Sequence, residues 1–297
     1  MKVAVIILNW NDHNRTQKSV LSVLESIDNL AAGYSASITI VDNGSSPPLI
    51  ELAPDLKNHD GIDILESKEN VGFARGMNLA ITAERLKNTD AVWLLNNDTV
   101  VDKKALSELI NYKKDNPKKI CVGSVIINGH TKKIETVGGY RYLSLLGVEY
   151  PVGRGSLPER VGSNEPILDY ISGAALFIDA PTLLQLGGLP SENFLYYEEL
   201  NLARLLGDRS HLGVCLTAKV VHEKGRSTAR LERHLPPYYS TLAALRYTKT
   251  VRTNAAIPLV LLLRLITAVW RDLCSFSPHN VKGVVLATKK IMHRAAP

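Results

Sequence analysis

The chain is poor in sulfur. Its three cysteines, Cys121, Cys215 and Cys274, are odd in number and widely separated among 297 residues. That spacing gives no disulfide framework and no thiolate metal site, and it suits a reducing compartment. Aromatic residues make up only 6% and are not interleaved with arginines, which argues against a base-stacking nucleic-acid surface. No stretch reaches the ~18 uninterrupted apolar residues of a membrane-spanning helix. The short apolar run at residues 3–8 meets Asn9 at once and reads as a first strand, not a secretory leader. Charge is nearly balanced, with 35 basic against 29 acidic residues, net +6. This mild excess suits an anionic small molecule or a membrane surface, and by itself does not argue for nucleic acid.

What is present is a large apolar fraction, 45%, enough for one sizeable core with or without an appendage. Residues 3–8, 37–42 and 91–95 read as the first three strands, each β-prone and apolar enough to be buried on both faces. Between them come helical patterns. Asn14 is placed to cap a helix carrying Val20, Val23, Leu24 and Ile27, and a second helix carries Met77, Ala80 and Ile81. Asp102 is placed to cap a third. This alternation predicts a parallel sheet with right-handed crossovers. Further strands are expected at 120–127, 169–178 and 212–222, a short helix at 180–186, and an irregular excursion at 128–166. Residues 225–237 read as a basic loop carrying Arg226, Arg230 and Arg233.

The last sixty residues change character. Residues 259–270 are strongly apolar but interrupted by Arg264, and 281–294 mix Val284, Val285, Leu286 and Ile291 with Lys282, Lys289, Lys290, His293 and Arg294. Such basic amphipathic helices lie in membrane interfaces or pack on a domain with their cations in water. The division expected is a domain over residues 1–235 and a helical, membrane-associating extension over 236–297.

Polar side chains follow the apolar strands: Asn9-Trp10-Asn11, Asp42-Asn43-Gly44, Asn96-Asn97-Asp98 and His222. Parallel strands bring the first three to one sheet edge, where open α/β sheets bind ligands. A carboxylate flanked by amides there can hold a divalent cation, which can clamp a diphosphate. The plainer alternative is a polar turn after a buried strand. Tyr196-Tyr197-Glu198-Glu199 precedes a helical run, and its paired carboxylates could supply a general base.

The strings VAVIILNWN, ITIVDNGS, ENVGFARGMNLAI, VWLLNNDTVVD, DYISGAALFI, LYYEELNLA and KVVHEKGRS occur in this order over roughly residues 3–228. Together they resemble the inverting family 2 glycosyltransferases, especially their rhamnosyltransferase-like branch. The resemblance implies an α/β GT-A fold, Rossmann-like with a mostly parallel central sheet, followed here by the C-terminal helical extension. It implies that Asp42 meets the donor's base, with Asn9 and Asn11 lining the same pocket. The plainer role for Asp42 is to cap the turn at Asn43-Gly44. Gly72 would let the backbone approach the nucleotide, Arg75 would meet the diphosphate, and Asn78 would touch the donor or face water. Asn96 and Asn97 would contact the ribose or phosphates. Asp98 would bind Mg²⁺ or Mn²⁺, with His222 completing the site, imidazole being the better match to Mn²⁺. The loop with Arg226, Ser227 and Arg230 would close on the diphosphate. Glu199 is the candidate base and Glu198 its neighbour at the helix start, the reverse assignment remaining open.

Departures from the family pattern bear on this. Asn96 stands where many relatives carry the first Asp of Asp-x-Asp, Glu199 replaces a more usual Asp, Asn201 replaces an acidic residue, and Leu205 stands where Arg is common, with Arg204 adjacent. The leading expectation is a metal-dependent enzyme moving a sugar from dTDP-rhamnose or a UDP-sugar to a lipid-linked saccharide in surface polysaccharide synthesis. It would work in the cytoplasm on the inner face of the membrane, with no nucleic-acid partner. The alternative is a catalytically silent sugar-nucleotide-binding subunit of a glycan-assembly complex. Oligomeric state is not legible.

Overall fold

Strand β1 (Lys2–Asn9) shows why a parallel sheet forms. Successive side chains of a strand point to opposite faces, and here both faces are apolar. Val3, Val5 and Ile7 enter one core with Val20 and Val23 of α1 (His13–Asp28), while Ala4 and Ile6 enter a second with Ala74 and Met77. A strand buried on both sides needs helices on both sides, which right-handed crossovers supply.

The computed structural model describes residues 1–223, 231–252 and 254–293. Arg226, Ser227, Arg230 and Arg294, singled out in the sequence, lie outside the described residues. After β1 and α1 come β2 (Ser35–Asn43), α2 (Leu49–Leu52), α3 (Pro54–Lys57), β3 (Ile62–Ser67), α4 (Phe73–Asn78), β4 (Ala91–Asn96), β5 (Thr99–Val101) and α5 (Ala105–Asp115). Then follow β6 (Cys121–Asn128), β7 (Ile134–Val137), β8 (Gly139–Leu143), β9 (Val148–Pro151), β10 (Tyr170–Ile171), β11 (Ala175–Asp179), α6 (Ala180–Gln185), α7 (Glu198–Leu206) and β12 (Leu212–His222). The chain closes with α8 (Leu235–Val251), α9 (Ile257–Ser275) and α10 (His279–His293).

The main sheet runs β3-β2-β1-β4-β11-β6-β12-β5, with β7 beside β6. Strands β3, β2, β1 and β4 are parallel, and β12 is parallel to β6; β11, β5 and β7 pair antiparallel. Register sets Asn9 opposite Asp42 and Leu8 opposite Asn96, so three polar strand ends share one edge. A second sheet, β10-β8-β9, stands beside it.

Several expectations need correction. The strand at 91–96 is the fourth in sequence, because β3 was not anticipated. It is an edge strand, only half buried, and carries Asp63 and Glu66. Helix α1 starts at His13 with Asp12, not Asn14, in the capping position. Asp102 lies outside α5, where its Oδ1 accepts from the Lys104 amide in a local turn. Helix α4 ends at Asn78, before Ala80 and Ile81, whose burial comes from turns. The region 128–166 contains three strands, not an irregular excursion. The expected strand 169–178 is broken at Ser172-Gly173-Ala174 into β10 and β11, which belong to different sheets.

The C-terminal helices join the small sheet through an aromatic core. Tyr142 of β8 meets Tyr197 and Tyr247 edge-on at 5.9 and 5.4 Å, and Val260 of α9 is fully buried beside them. Helix α9 buries Val260 and Ala268. Its inner side carries Arg264, Thr267, Ala268 and Arg271, which line a cavity. Its outer side carries Leu262, Ile266, Val269, Trp270 and Leu273, each 42–70% exposed. No helix among the described residues is long and apolar enough to cross a membrane.

Candidate active site

The C-terminal edge of β1, β2 and β4 opens into a cavity of about 1010 Å³. Asn96, Asn97 and Asp98 from the end of β4, His222 from the end of β12, and Glu198 and Glu199 from the start of α7 all line it. Helices α8, α9 and α10 close its far side through Ser240, Arg264, Arg271 and Val284.

Asp98 is buried, and its Oδ1 lies 3.1 Å from His222 Nε2. The other ring nitrogen, Nδ1, lies 3.3 Å from both carboxylate oxygens of Glu135. Burial opposes protonation of His222, but hydrogen bonds to Asp98 and Glu135 outweigh it and hold its pKa up at about 9. The imidazole is thus clasped between two carboxylates, one in the cavity and one behind it. Among the described residues, no three such groups converge on a metal by themselves. The donor set does fit a divalent cation held partly by protein: one carboxylate oxygen and one imidazole nitrogen are adjacent. A second carboxylate orients the ring, as in carboxylate–histidine–metal relays. Remaining positions would fall to phosphate oxygens and water.

Glu198 and Glu199 reach the cavity through unusual backbone. Tyr196 and Tyr197 both hold left-handed φ values, 74° and 71°, a conformation that non-glycine residues rarely adopt. Asn193 donates from Nδ2 to the Tyr196 carbonyl at 3.2 Å, and Arg246 of α8 donates to Asn193 Oδ1 and to the Glu192 carbonyl. Asn201, one of the family departures, donates to the Tyr197 carbonyl at 2.9 Å and so fixes the first turn of α7. Strain braced this way is typical of functional turns.

The two carboxyls differ. Burial, then the charge of Glu199, pushes Glu198 well above the usual carboxylate range, and it lies in a more apolar setting than a surface glutamate. Burial also raises Glu199, with help from Glu149, while backbone hydrogen bonds including that of Gly173 pull it back, leaving it at about 7. Glu199 packs directly over Gly173. A Cβ there would lie 1.9 Å from Glu199 Oε1, so the break between β10 and β11 is the seat of this carboxylate.

The remaining sequence candidates divide. Asn97 lines the cavity and donates to Thr16 Oγ1 at 3.0 Å. Asn9, Asn11 and Asp42 do converge, but on one another. Asp42 Oδ1 accepts from Asn9 Nδ2 at 2.8 Å and from Ser45 Oγ, and Oδ2 accepts from the Leu49 amide at 2.7 Å. Asn11 Oδ1 accepts from the Ser46 amide. None of the three is among the cavity-lining residues, whereas Trp10, Asn43 and Asn70 are. Gly72 lines the cavity at φ +92°, yet what demands glycine there is Phe194, whose carbonyl would sit 2.4 Å from a Cβ. Arg75 is exposed and donates to the Ser191 carbonyl at 3.2 Å. Asn78 neither lines the cavity nor faces water: its amide pairs both ways with the Leu189 backbone at 2.8 Å.

Sequence reasoning missed Glu135, Glu149, Gly173 and the cavity face of α9. Glu135 and Glu149 lie in the stretch read as irregular. The only sequence signal for Gly173 was its place inside a strand pattern, where glycine marks a break or a close approach.

Comparison with known proteins gives three findings. The family model described as glycosyl transferase family 2 matches residues 4–161. The chain is 26% identical over 247 residues to a low-salt glycan biosynthesis hexosyltransferase of Haloferax volcanii, covering 80% of this chain and 72% of that protein. It is 22% identical to an N-acetylglucosaminyl-diphospho-decaprenol L-rhamnosyltransferase of Mycobacterium tuberculosis, covering 68% and 71%. Among solved structures it superposes on S. aureus TarS in complex with UDP-GlcNAc, with TM-score 0.56, 14% identity and 94% and 74% coverage. It also superposes on GalNAc-T7 with UDP, GalNAc and Mn²⁺, with TM-score 0.57 and 16% identity. The match covers 75% of this chain but only 44% of the GalNAc-T7 chain. These likenesses establish the GT-A fold.

Proposed function

The chain belongs to glycosyl transferase family 2, and we propose that it is an inverting, metal-assisted hexosyltransferase acting on a lipid-linked saccharide. The observation that carries this is one cavity holding both the Asp98–His222 pair and, across from it, a buried carboxylate tuned to about 7 on Glu199. A general base works best with a pKa near the operating pH. Glu199 takes the proton of the acceptor hydroxyl as that oxygen attacks the anomeric carbon in a single displacement. Glu198 beside it, raised further by burial and by the charge of Glu199, is the neighbour at the helix start. Asp98 and His222 would hold Mn²⁺ or Mg²⁺, with Glu135 fixing the ring so that Nε2 faces the cavity. A bound cation supplies charge stabilisation to the leaving diphosphate. Asn96 and Asn97 offer amides to ribose or phosphate.

Two features support a lipid-linked acceptor presented at a membrane surface. One is the decaprenol-linked activity printed for the mycobacterial relative. The other is the outward apolar stripe of α9 beside α10, which exposes Lys282, Lys289 and Lys290 among Val285, Leu286 and Met292. Apolar side chains flanked by cations are the signature of an interfacial helix on anionic lipid. The rhamnosyl relative favours dTDP-rhamnose as donor, and UDP-hexoses are the other class to test.

The experiment is donor binding and hydrolysis across a panel of nucleotide sugars with Mn²⁺, with Mg²⁺ and with chelator. The expected result is metal-dependent binding and slow hydrolysis of one donor. Binding without any turnover, with or without acceptor, would instead favour a silent sugar-nucleotide-binding subunit.

A further inference from the structure

The cavity carries charge of both signs: Asp98, Glu135, Glu149, Glu198 and Glu199 line it together with Arg154 and Arg233, and α9 adds Arg264 and Arg271 to the same space. A helix packed on a domain normally points its arginines to water and its leucines inward. Here α9 does bury Val260 and Ala268, but it also lines the cavity with part-buried Arg264 and with exposed Arg271, and these cations call for a reason.

Arg264 is not there to form an ion pair. Its guanidinium donates to Ser240 Oγ at 2.8 Å, to Tyr197 Oη at 2.8 Å and to the Gly147 carbonyl at 3.2 Å, all neutral acceptors. Among the described residues, no carboxylate pairs with Arg264 or Arg271. These three bonds orient the guanidinium without neutralising it. A half-buried, uncompensated charge is costly unless a counter-charge arrives. Arg271 lies seven residues on, two helical turns and about 10 Å of rise along the same face. Thr267 and Ala268, between them, leave that face low.

We propose that Arg264 and Arg271 form an anion subsite for the diphosphate of a lipid-linked acceptor, separate from the donor's diphosphate at Asp98. This rests on the glycosyltransferase reading and adds where the acceptor's own charge is held. Arginine suits the task because its planar fork matches phosphate oxygens bidentately. Apolar residues adjoin the pair inside the cavity, Leu263 on α9 and Val284 on α10. An anionic head with an apolar chain matches that lining, whereas an uncharged free saccharide would leave both arginines uncompensated.

The test uses the full chain in Mn²⁺, with saturating UDP present to occupy the donor end. Two probes are titrated by calorimetry: farnesyl diphosphate and inorganic pyrophosphate. Wild type is compared with R271Q, an exposed position whose side chain supports no packing, and UDP affinity in Mn²⁺ is measured for both. Farnesyl diphosphate binding at least tenfold tighter than pyrophosphate, with both weakened fivefold or more by R271Q at unchanged UDP affinity, is the expected result. Equal affinity for the two probes would overturn the lipid assignment. Unchanged probe binding in R271Q, or displacement of farnesyl diphosphate by UDP, would overturn the subsite. Loss of UDP binding by the wild-type protein would instead count against the glycosyltransferase reading itself.

Discussion

The first 235 residues and the last 62 are built on opposite electrostatic plans. The C-terminal stretch has nine Lys or Arg against a single acidic residue, Asp272, which leaves 26 basic against 28 acidic for the rest. A segment at +8 thus sits on a body at −2. The difference in packing runs the same way. In the body, most large apolar side chains of the strands and helices are buried, as in β1, though Leu21 of α1 stays exposed. In the extension, Trp270 is 64% and Phe276 97% exposed, while arginines face inward. The body hides most of its apolar surface, whereas the extension leaves a row of large apolar side chains in solvent.

The sharpest way to test the body is Glu199→Gln. Transfer should fall roughly 1000-fold, as for loss of a general base, with donor affinity by calorimetry unchanged. An equal fall in donor affinity would mean that Glu199 binds and does not catalyse. In the wild type, kcat should climb with pH through about 7 and level off above it, because only the deprotonated carboxylate accepts a proton. A flat profile from pH 5.5 to 8.5 would remove Glu199 as the base.

The extension is tested by placing charge on its outer stripe. The double change Trp270→Glu and Leu273→Glu should cut co-sedimentation with anionic vesicles at least tenfold, since each large apolar side chain contributes about 1.5–3 kcal/mol on burial. Turnover with a water-soluble acceptor should persist. Unchanged sedimentation would assign the stripe to some contact other than lipid.

Within the body, at His222, Glu135→Gln should weaken Mn²⁺ binding, measured in the presence of UDP, about tenfold, because the ring loses its charged anchor. Retained affinity would make Glu135 a bystander. The smallest effect is expected at Asn78→Ala, which strips two hydrogen bonds from the Leu189 backbone. Stability should fall by about 1–3 kcal/mol in urea, with donor affinity untouched. A selective loss of donor affinity would return Asn78 to the binding site.

Legibility follows the same division. The ends of β1, β2 and β4 could be read because a buried strand announces itself by an apolar run and stops at polar residues. The pairing of Glu198 with Glu199 was visible as adjacent letters, though what separates them was not. Burial raises both, the charge of Glu199 raises Glu198 further, and the Gly173 backbone pulls Glu199 back. Strand β3 escaped because an edge strand mixes charge with apolar residues, and β7, β8 and β9 because glycine and proline around them imitate loops. The extension was read as amphipathic from its composition. Which of its residues line the cavity was not, because a helical wheel gives two faces without saying which one is covered.

The sequence by itself determined the family, the alternating α/β order and the polar edge carrying Asn9, Asp42 and Asn96 to Asp98. These are local patterns, written in periodicity and in residues adjacent along the chain. Only the tertiary structure decided that Glu135 stands behind His222 across 87 positions, that Arg264 reaches Tyr197 across 67, and that Glu199 rests on Gly173. It also decided that Asp42 and Asn78 spend their side chains on backbone and neighbouring polar groups. The reason is physical: a hydrogen bond forms between groups that folding brings within 3 Å, and closing the long loops between them leaves no periodic trace in the sequence.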